Sequence, residues 1–231
     1  MAASLVPALA AAGHNTMQVS GRAPEGIPAE TDVCILAVKD DAIGSVARRI
    51  AEECPAYISR MIMVHTAGSV HMDILQGSAA RYGVVYPMQT FTQARPVSFA
   101  DIPCFVEASD SDTLCTLMAL ARSISGNVSE LSSDRRRYLH LAAVFACNFV
   151  NHCYDLAATL LEPAGLPFST LLPLIDETAR KVHTLHPHEA QTGPAVRYDS
   201  GVMARHEQLL RQVGGPADVY ALMSKSIHDK L

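Results

Sequence analysis

Five polar residues share one side of a long apolar helical pattern that runs from Asp134 to about Pro163. At 100° per residue they fall within an arc of roughly 120°, and they are His140, Asn148, Asn151, His152 and Asp155. A helix that is apolar on the rest of its circumference is normally buried. Buried imidazole and carboxamide groups are costly unless they are hydrogen-bonded. The stripe therefore indicates either a polar network with another helix or subunit, or the wall of a catalytic or substrate-binding cleft.

Three residues of this stripe have side chains suited to acid–base catalysis. Asn148 and His152 are one helical turn apart, and His140 lies two turns before Asn148. A histidine can donate a proton near neutral pH, and an asparagine can orient a carbonyl group. These residues are the candidate catalytic groups for hydride transfer to a C=O or C=N bond, whose developing charge needs a proton donor. The alternative for His152 is a structural histidine with satisfied hydrogen bonds.

A second group of polar residues, His183-x-x-His186-x-His188-Glu189, contains side chains that ligate metals elsewhere. Metal ligands must converge on one point, and Pro187 interrupts any helical spacing in this segment. The pattern is more typical of a solvated helix end, where positive charge suits the C-terminus. We expect no metal site.

Composition sets limits on partners and compartment. The 231 residues, 49% of them hydrophobic and 18% charged, describe a globular protein with one large or two modest domains. The formal charge is −5, and the one dense basic run, residues 135–137, opens a helix, so we expect no nucleic-acid partner. No apolar run approaches the ~18 residues of a membrane span, so we expect no membrane partner. The six cysteines lack C-x-x-C spacing, which fits a reducing cytoplasm.

The order of predicted elements divides the chain into two domains. An N-terminal helix ends at Gly13, and strands then alternate with helices, which implies a parallel sheet covered on both faces. The predicted strands are 16–20, 33–38, 61–64, 82–86, 104–107 and one near 128, with helices at 39–54 and 111–124. Every later pattern is helical: 134–161, 169–183, 200–213 and 217–230. We predict an α/β domain over 1–131 and an all-α domain over 132–231.

Polar segments follow three of the predicted strands, where open α/β sheets bind their ligands. They are Ser20-Gly21-Arg22, Ala37-Val38-Lys39-Asp40 and His65-Thr66-Ala67-Gly68. An arginine at such a strand end can pair with a ribose 2′-phosphate and so favours NADP over NAD. A helix N-terminus such as the one after Lys39 can meet a cofactor. The G-x-G-x-x-G turn that usually binds the pyrophosphate is not present, and the sequence begins within a helix like the one that follows that turn.

Four segments resemble one bacterial family along essentially the whole chain. They are residues 32–43 (DVCILAVKDDAI), 65–69 (HTAGS), 86–91 (YPMQTF) and 190–197 (AQTGPAVR). The family joins a Rossmann-like NADP domain to a C-terminal helical domain of unknown function. Its architecture is similar to those of pyrroline-5-carboxylate reductase, ketopantoate reductase and the β-hydroxyacid dehydrogenases. The resemblance implies the fold and the cofactor class, NADP, and names no substrate.

Two loops within these segments are candidates for contact with the substrate. Gln191-Thr192-Gly193-Pro194 lies between predicted helices, where binding groups often collect. The alternative is a turn whose glycine and proline only fix the backbone. Because the segment matches the family pattern, the resemblance favours a loop that lines the site or contacts a second subunit. Gln89 and Thr90 are the corresponding candidates on the other side of the cleft.

Family members usually begin with a strand and a glycine turn of the form G-x-G-N-V-A. This sequence lacks that piece, and Met1 stands about where the family has valine. One hypothesis is a start codon assigned too far downstream, with a GTG valine codon taken as the initiator. The rival hypothesis is a real truncation that has lost cofactor binding. Loss of a central strand would leave backbone groups of its neighbours unpaired, which favours the first.

Together these features predict an NADP-dependent oxidoreductase that reduces a small carbonyl or imine compound, as a homodimer assembled through its helical domain. The alternative is a non-catalytic NADP-binding or structural protein. The predicted cofactor-binding residues are Ser20, Arg22, Ala37, Val38, Lys39, His65 and Thr66.

Overall fold

The structure, a computed structural model, describes residues 1–56, 58–92, 95 and 97–230. The chain divides into two compact units, residues 1–147 and 148–231. The sequence placed this boundary before the long helix, at residue 132. The first unit instead keeps the N-terminal part of that helix, because Arg136 is buried and hydrogen-bonds to Glu107 of the sheet.

The first unit contains a five-stranded sheet in the order β1-β2-β3-β4-β5. Its strands are β1 (Val33–Leu36), β2 (Ile62–His65), β3 (Arg81–Pro87), β4 (Cys104–Ala108) and β5 (Val128–Glu130). Three neighbouring pairs are parallel, as predicted, but β3 and β4 are antiparallel. Parallel neighbours need a crossover, usually through a helix. The described residues between β3 and β4 form no helix, so the chain returns in the opposite direction.

The strand predicted at residues 16–20 is wrong. Among these residues only Ser20 takes part in a bridge, an isolated antiparallel one to Ala23. β1 lies at the edge of the sheet and pairs with β2 alone among the described strands. A strand exists through its backbone hydrogen bonds to a neighbour. Residues 16–20 have no such neighbour, so their apolar pattern alone does not make them a strand.

Helices cover both faces of the sheet. They are α1 (Ala2–Ala11), α2 (Ile43–Glu53), α3 (Ser111–Arg122) and α4 (Ser133–Ala143). Alternate strand residues point to opposite faces. One face packs Val64 and Val106 with α1 and α3, and the other packs Met63 with Ile43 and Ala47 of α2. The second face also carries polar groups, because His65 at the end of β2 and Glu107 of β4 are paired in register with Val84 between them.

The long helix predicted over 134–161 is interrupted. After α4 the chain makes a π-helical turn at Val144–Phe149 and resumes as α5 (Val150–Leu161). A π turn accommodates an extra residue. The uniform spacing of 100° per residue, which placed the polar stripe in one arc, therefore does not hold through this helix.

The second unit is helical, as the sequence predicted. After α5 it contains α6 (Leu172–Lys181), α7 (Ser200–Gln212) and α8 (Ala217–His228). Gly165 and Gly214, both with positive φ, end the helices before them. None of the helices in the described part of the chain is long and apolar enough to cross a membrane.

Candidate functional site

A tyrosine and a histidine meet at the edge of the sheet where β1, β2 and β3 end. Tyr86, near the end of β3, lies with its Oη 3.2 Å from Nδ1 of His140 on α4, and the two rings meet edge to face. Gly68, three residues after the end of β2, lies against both rings. A Cβ atom at Gly68 would lie 2.7 Å from Cγ of His140 and 2.9 Å from Cζ of Tyr86. Only glycine therefore lets the two side chains approach here.

His140 was one of the three catalytic residues predicted from sequence, whereas Tyr86 and Gly68 were not. Tyr86 lies inside an apolar strand, where a tyrosine is ordinarily part of the core. The available signal was its place in the YPMQTF segment at the end of a strand, opposite the polar HTAGS segment. Neither segment by itself shows that its residues converge with His140.

A buried arginine anchors α4 one turn before His140. Arg136 is fully buried, and its guanidinium donates to Glu107 Oε2 (2.8 Å), to the Val70 carbonyl (2.6 Å) and to Ser133 Oγ (3.0 Å). Ser133 Oγ in turn donates to Glu107 Oε2 at 2.5 Å. Residues four apart lie on the same side of a helix. The network therefore fixes the helix face that presents His140 to Tyr86.

These charges act on the groups around them. Burial alone would raise the pKa of Glu107, but hydrogen bonds from Ser133 and Arg136, with the charge of Arg136, lower it below its ordinary value. Burial raises the pKa of the Tyr86 phenol, and the Arg136 guanidinium partly offsets that effect. At neutral pH Glu107 is therefore an anion hydrogen-bonded to Ser133 and Arg136, and Tyr86 is a neutral phenol.

His65 lies on the same face of the sheet and is fully buried. Its Nδ1 accepts a hydrogen bond from the Ala67 backbone N–H (3.2 Å), and its Nε2 has no partner among the described residues. Burial, with the nearby Arg136 charge, lowers the pKa of His65 to about 4. The folded protein therefore holds this imidazole neutral.

This neutral histidine predicts a loss of stability in mild acid. The pKa of His65 is about 4 when folded and 6.5 as a free side chain, so between these values the unfolded chain binds the extra proton. Unfolding is then favoured, by about 2 kcal/mol at pH 5 relative to pH 7.5. Thermal unfolding followed across this range should show the loss. His65→Asn, which keeps an acceptor for Ala67, should flatten the slope, and an unchanged slope would contradict the assignment.

The segment from Ser20 to Arg22, predicted to bind the cofactor, packs against the chain that follows β1. A Cβ atom at Gly21 would lie 3.2 Å from Cγ1 of Val38, the residue predicted at that strand end. Ser20 Oγ accepts a hydrogen bond from the Arg22 backbone N–H. Arg49 of α2, which sequence reasoning missed, donates to the Arg22 carbonyl at 2.9 Å. Two guanidinium-bearing residues thus lie together beside β1, and both are exposed.

Polar groups continue along this edge of the sheet. Ser69, after β2, donates a 2.5 Å hydrogen bond to Asp40 Oδ2, which follows β1 and Lys39. Lys39 is exposed and Thr66 is buried. Arg22, Lys39 and Arg49 form no ion pair with any described side chain. Exposed, unpaired cations beside a strand end suit the phosphate groups of NADP, so the residues present fit this cofactor.

The remaining predicted site residues lie at exposed positions. Gln89 Oε1 accepts from the backbone N–H of Thr90, and Gln191 Nε2 donates to the Thr192 carbonyl, so both pairs make local contacts. Asn148 and His152 belong to the second unit and are exposed. Their roles stay predictions. No group of three or more metal-ligand side chains occurs among the residues that the structure describes.

A mostly parallel sheet with helices on both faces, followed by a helical unit, defines a Rossmann-like α/β domain with a C-terminal helical region. The chain belongs to the family described as "Domain of unknown function (DUF2520)", whose pattern matches residues 102–227. This confirms the fold and the family that the sequence resembles. No functionally curated protein is similar enough in sequence to match the chain.

Solved structures of other proteins are similar to this chain. A crystal structure of a provisionally named NADP oxidoreductase from Bacteroides fragilis is 41% identical, with a TM-score of 0.91 over 99% of this chain and 94% of that one. A protein from Thermotoga maritima is 22% identical, with a TM-score of 0.69 over 87% of this chain and 78% of that one. An imine reductase from Myxococcus stipitatus in complex with NADP⁺ is 13% identical, with a TM-score of 0.71 over 99% and 90%. The last two share the fold alone.

Proposed function

We propose that this protein is an NADP-dependent oxidoreductase that transfers a hydride to or from a small carbonyl or imine compound. The observation that carries the proposal is a convergence at one edge of the sheet. The cationic turn at Arg22 lies at the end of β1, and the contact between Tyr86 and His140 lies at the end of β3, at the edge where open α/β sheets bind ligands. The name of the similar Bacteroides fragilis protein supports the same cofactor.

The roles of this edge divide between binding and chemistry. Arg22 and Arg49 would hold the 2′-phosphate of NADP, and Val38, Lys39 and Thr66 would line the cofactor beside them. When bound, the reduced nicotinamide supplies a hydride. At the end of β3, His140 and Tyr86 would hold or move a proton.

Binding of NADPH tests the proposal. The chain has no tryptophan, so enhancement of the cofactor's own fluorescence gives a clear signal. We expect saturable binding of NADPH that is tighter than that of NADH. Arg22→Ala should raise the Kd for NADPH about 10-fold, the worth of one charge-assisted hydrogen bond, and leave the Kd for NADH unchanged. Arg48→Ala, an exposed arginine of the same helix as Arg49, is the matched control and should change neither.

The 231 residues do not contain the G-x-G-x-x-G turn that usually binds the pyrophosphate. The contradicting outcome is therefore defined on two proteins. The same titration is therefore repeated with a chain extended at its N-terminus by the upstream coding sequence. Absence of saturable NADPH binding by both proteins would overturn the oxidoreductase assignment.

We propose further that the protein forms a homodimer through its helices. Two large apolar side chains, Tyr138 (77% exposed) and Leu141 (55%), lie three residues apart on α4. The apolar pattern of the long helix is typical of a buried helix, and a second copy of the chain is the partner that would bury this face of α4. Neighbouring exposed apolar side chains of this kind suit a contact with a partner.

Sedimentation equilibrium tests the dimer. The 24.8 kDa chain should sediment at twice its mass. Leu141→Asp places a charge on the exposed apolar face and should shift the equilibrium towards the monomer. A monomeric wild-type protein at micromolar concentration would contradict the proposal.

A further inference from the structure

We infer that the Tyr86 hydroxyl is the proton donor for reduction of a carbonyl group to an alcohol, with His140 as its hydrogen-bond partner. The inference rests on the proposed function and narrows it in two ways. It assigns the donor to a residue of the sheet, where the sequence pointed to His152, and it selects carbonyl compounds over imines.

In the Nδ1–H tautomer of His140, the contact with Tyr86 leaves the phenolic hydrogen available to a ligand. A tyrosine hydroxyl donates one hydrogen bond and also accepts, and a neutral imidazole donates through one nitrogen only. With the proton on Nδ1, His140 donates to Tyr86 Oη over the 3.2 Å contact. Tyr86 is 8% exposed, and His140 is half-buried. The Tyr86 oxygen then accepts a hydrogen bond from His140, which fixes its position, and its own hydrogen is free to be donated to a ligand.

The contact between Tyr86 and His140 depends on glycine at position 68. The space that a side chain at residue 68 would occupy is filled by the Tyr86 and His140 rings. The hydrogen bonds of Arg136 to Glu107 and Val70 fix α4 at a point one turn before His140, so they also restrain the position of His140. Preorganised donors are effective because no reorganisation is needed as charge develops.

The surrounding charge favours an oxyanion over an iminium cation. Arg136 lies one turn before His140 on α4, and its charge opposes the rise in the pKa of the Tyr86 phenol that burial causes. The Glu107 carboxylate on the same face is bound by Arg136 and Ser133, and the Asp40 carboxylate accepts a hydrogen bond from Ser69. A cationic iminium group would need a free carboxylate, and the alkoxide formed from a carbonyl needs a proton and a nearby positive charge. A neutral phenol also protonates an alkoxide far more readily than a weakly basic imine.

The step balances with NADPH as the reductant. The carbonyl carbon gains a hydride, and the electron pair of the C=O bond moves to oxygen. That oxygen takes the proton of Tyr86 Oη, so the products are the alcohol, NADP⁺ and a tyrosinate. Nδ1 of the half-buried His140 passes its proton to the tyrosinate as Nε2 takes a proton from solvent, so the phenol is restored and the imidazole stays neutral.

A pair of tyrosine variants on one strand tests the donor. Tyr86→Phe removes the hydroxyl, and Tyr82→Phe removes another from the same face of β3, four residues away. With NADPH and ethyl pyruvate, turnover by Tyr86→Phe should fall about 100-fold or more, as expected for loss of a general acid. Tyr82→Phe should keep wild-type turnover, and both should keep the wild-type Kd for NADPH. The cyclic imine 2-methyl-1-pyrroline should be reduced much more slowly than ethyl pyruvate by the wild type.

A second readout does not depend on turnover. In protein labelled with ¹³Cζ-tyrosine, the Tyr86 resonance is the one lost in Tyr86→Phe. Ethyl pyruvate added with NADP⁺, which cannot react, should shift this resonance and leave that of Tyr82 in place.

The outcomes separate the two proposals. Absence of NADPH binding would overturn the proposed function and the donor role with it. Normal NADPH binding with Tyr86→Phe as active as Tyr82→Phe would overturn the donor role alone, as would loss of turnover in His152→Ala but not in Tyr86→Phe. Faster reduction of the imine than of the carbonyl compound would overturn the choice of substrate class.

Discussion

A Glu107→Gln variant is expected to lose about 3–5 kcal/mol of unfolding free energy, the usual result of removing one partner from a buried ion pair. The reason is the position of Arg136, whose side chain is fully buried and whose charge is balanced by Glu107 alone among the described side chains. The glutamine leaves that cation without its counter-ion. Thermal unfolding at neutral pH, compared with the wild type, measures the loss.

Two further variants make this prediction specific. Glu107→Leu combined with Arg136→Met removes both charges and should recover most of the lost stability, since apolar replacements of a buried pair are often neutral. Asp134→Asn breaks the exposed pair with Arg137 and should change the unfolding free energy by less than about 1 kcal/mol. A loss in Glu107→Gln no larger than that in Asp134→Asn would contradict the role given to the buried pair.

Gly68→Ala is expected to separate Tyr86 from His140 and to reduce turnover about 100-fold, the scale of an ångström-sized misplacement of reacting groups. The added methyl group would lie 2.9 Å from Cζ of Tyr86 and closer still to the His140 ring, so one of the rings must move. Overpacking of this kind also costs about 1–3 kcal/mol of stability. Steady-state turnover and thermal unfolding report the two effects separately.

A glycine-to-alanine substitution at Gly26, where the added methyl group meets no other atom, is the control. A Cβ atom at Gly26 has no atom within 4 Å, and its φ is not positive, so Gly26→Ala should retain turnover and stability. Full activity in Gly68→Ala would show that the contact between Tyr86 and His140 does not serve the reaction.

Local patterns in the sequence predicted much of the fold. The apolar run at Val33–Leu36 became a strand, and α3 begins after Asp110, whose carboxylate accepts a hydrogen bond from the Thr113 backbone N–H at 2.8 Å. Such elements are predictable because periodicity and capping act within a few residues. The antiparallel pairing of β3 with β4 depends instead on the connection between them.

The candidate site was only partly predictable for a related reason. The polar segments after the strands were recognised because ligand sites in open sheets follow strand ends. The contact between Tyr86 and His140 joins residues 54 positions apart, and Gly68 comes from a third segment. The helical wheel used for the polar stripe assumed an unbroken α-helix, whereas the π turn at Val144–Phe149 interrupts it. No single-segment pattern contains that information.

Transfer of deuterium from the cofactor tests the central claim most directly. NADPH carrying deuterium at both C4 positions is incubated with the protein and ethyl pyruvate, and the alcohol is analysed by mass spectrometry. We predict one deuterium at the carbinol carbon of each product molecule, with Tyr86→Phe forming the same labelled product more slowly. Saturable binding of NADPH without formation of a labelled alcohol would contradict the assignment of this protein as a carbonyl-reducing oxidoreductase.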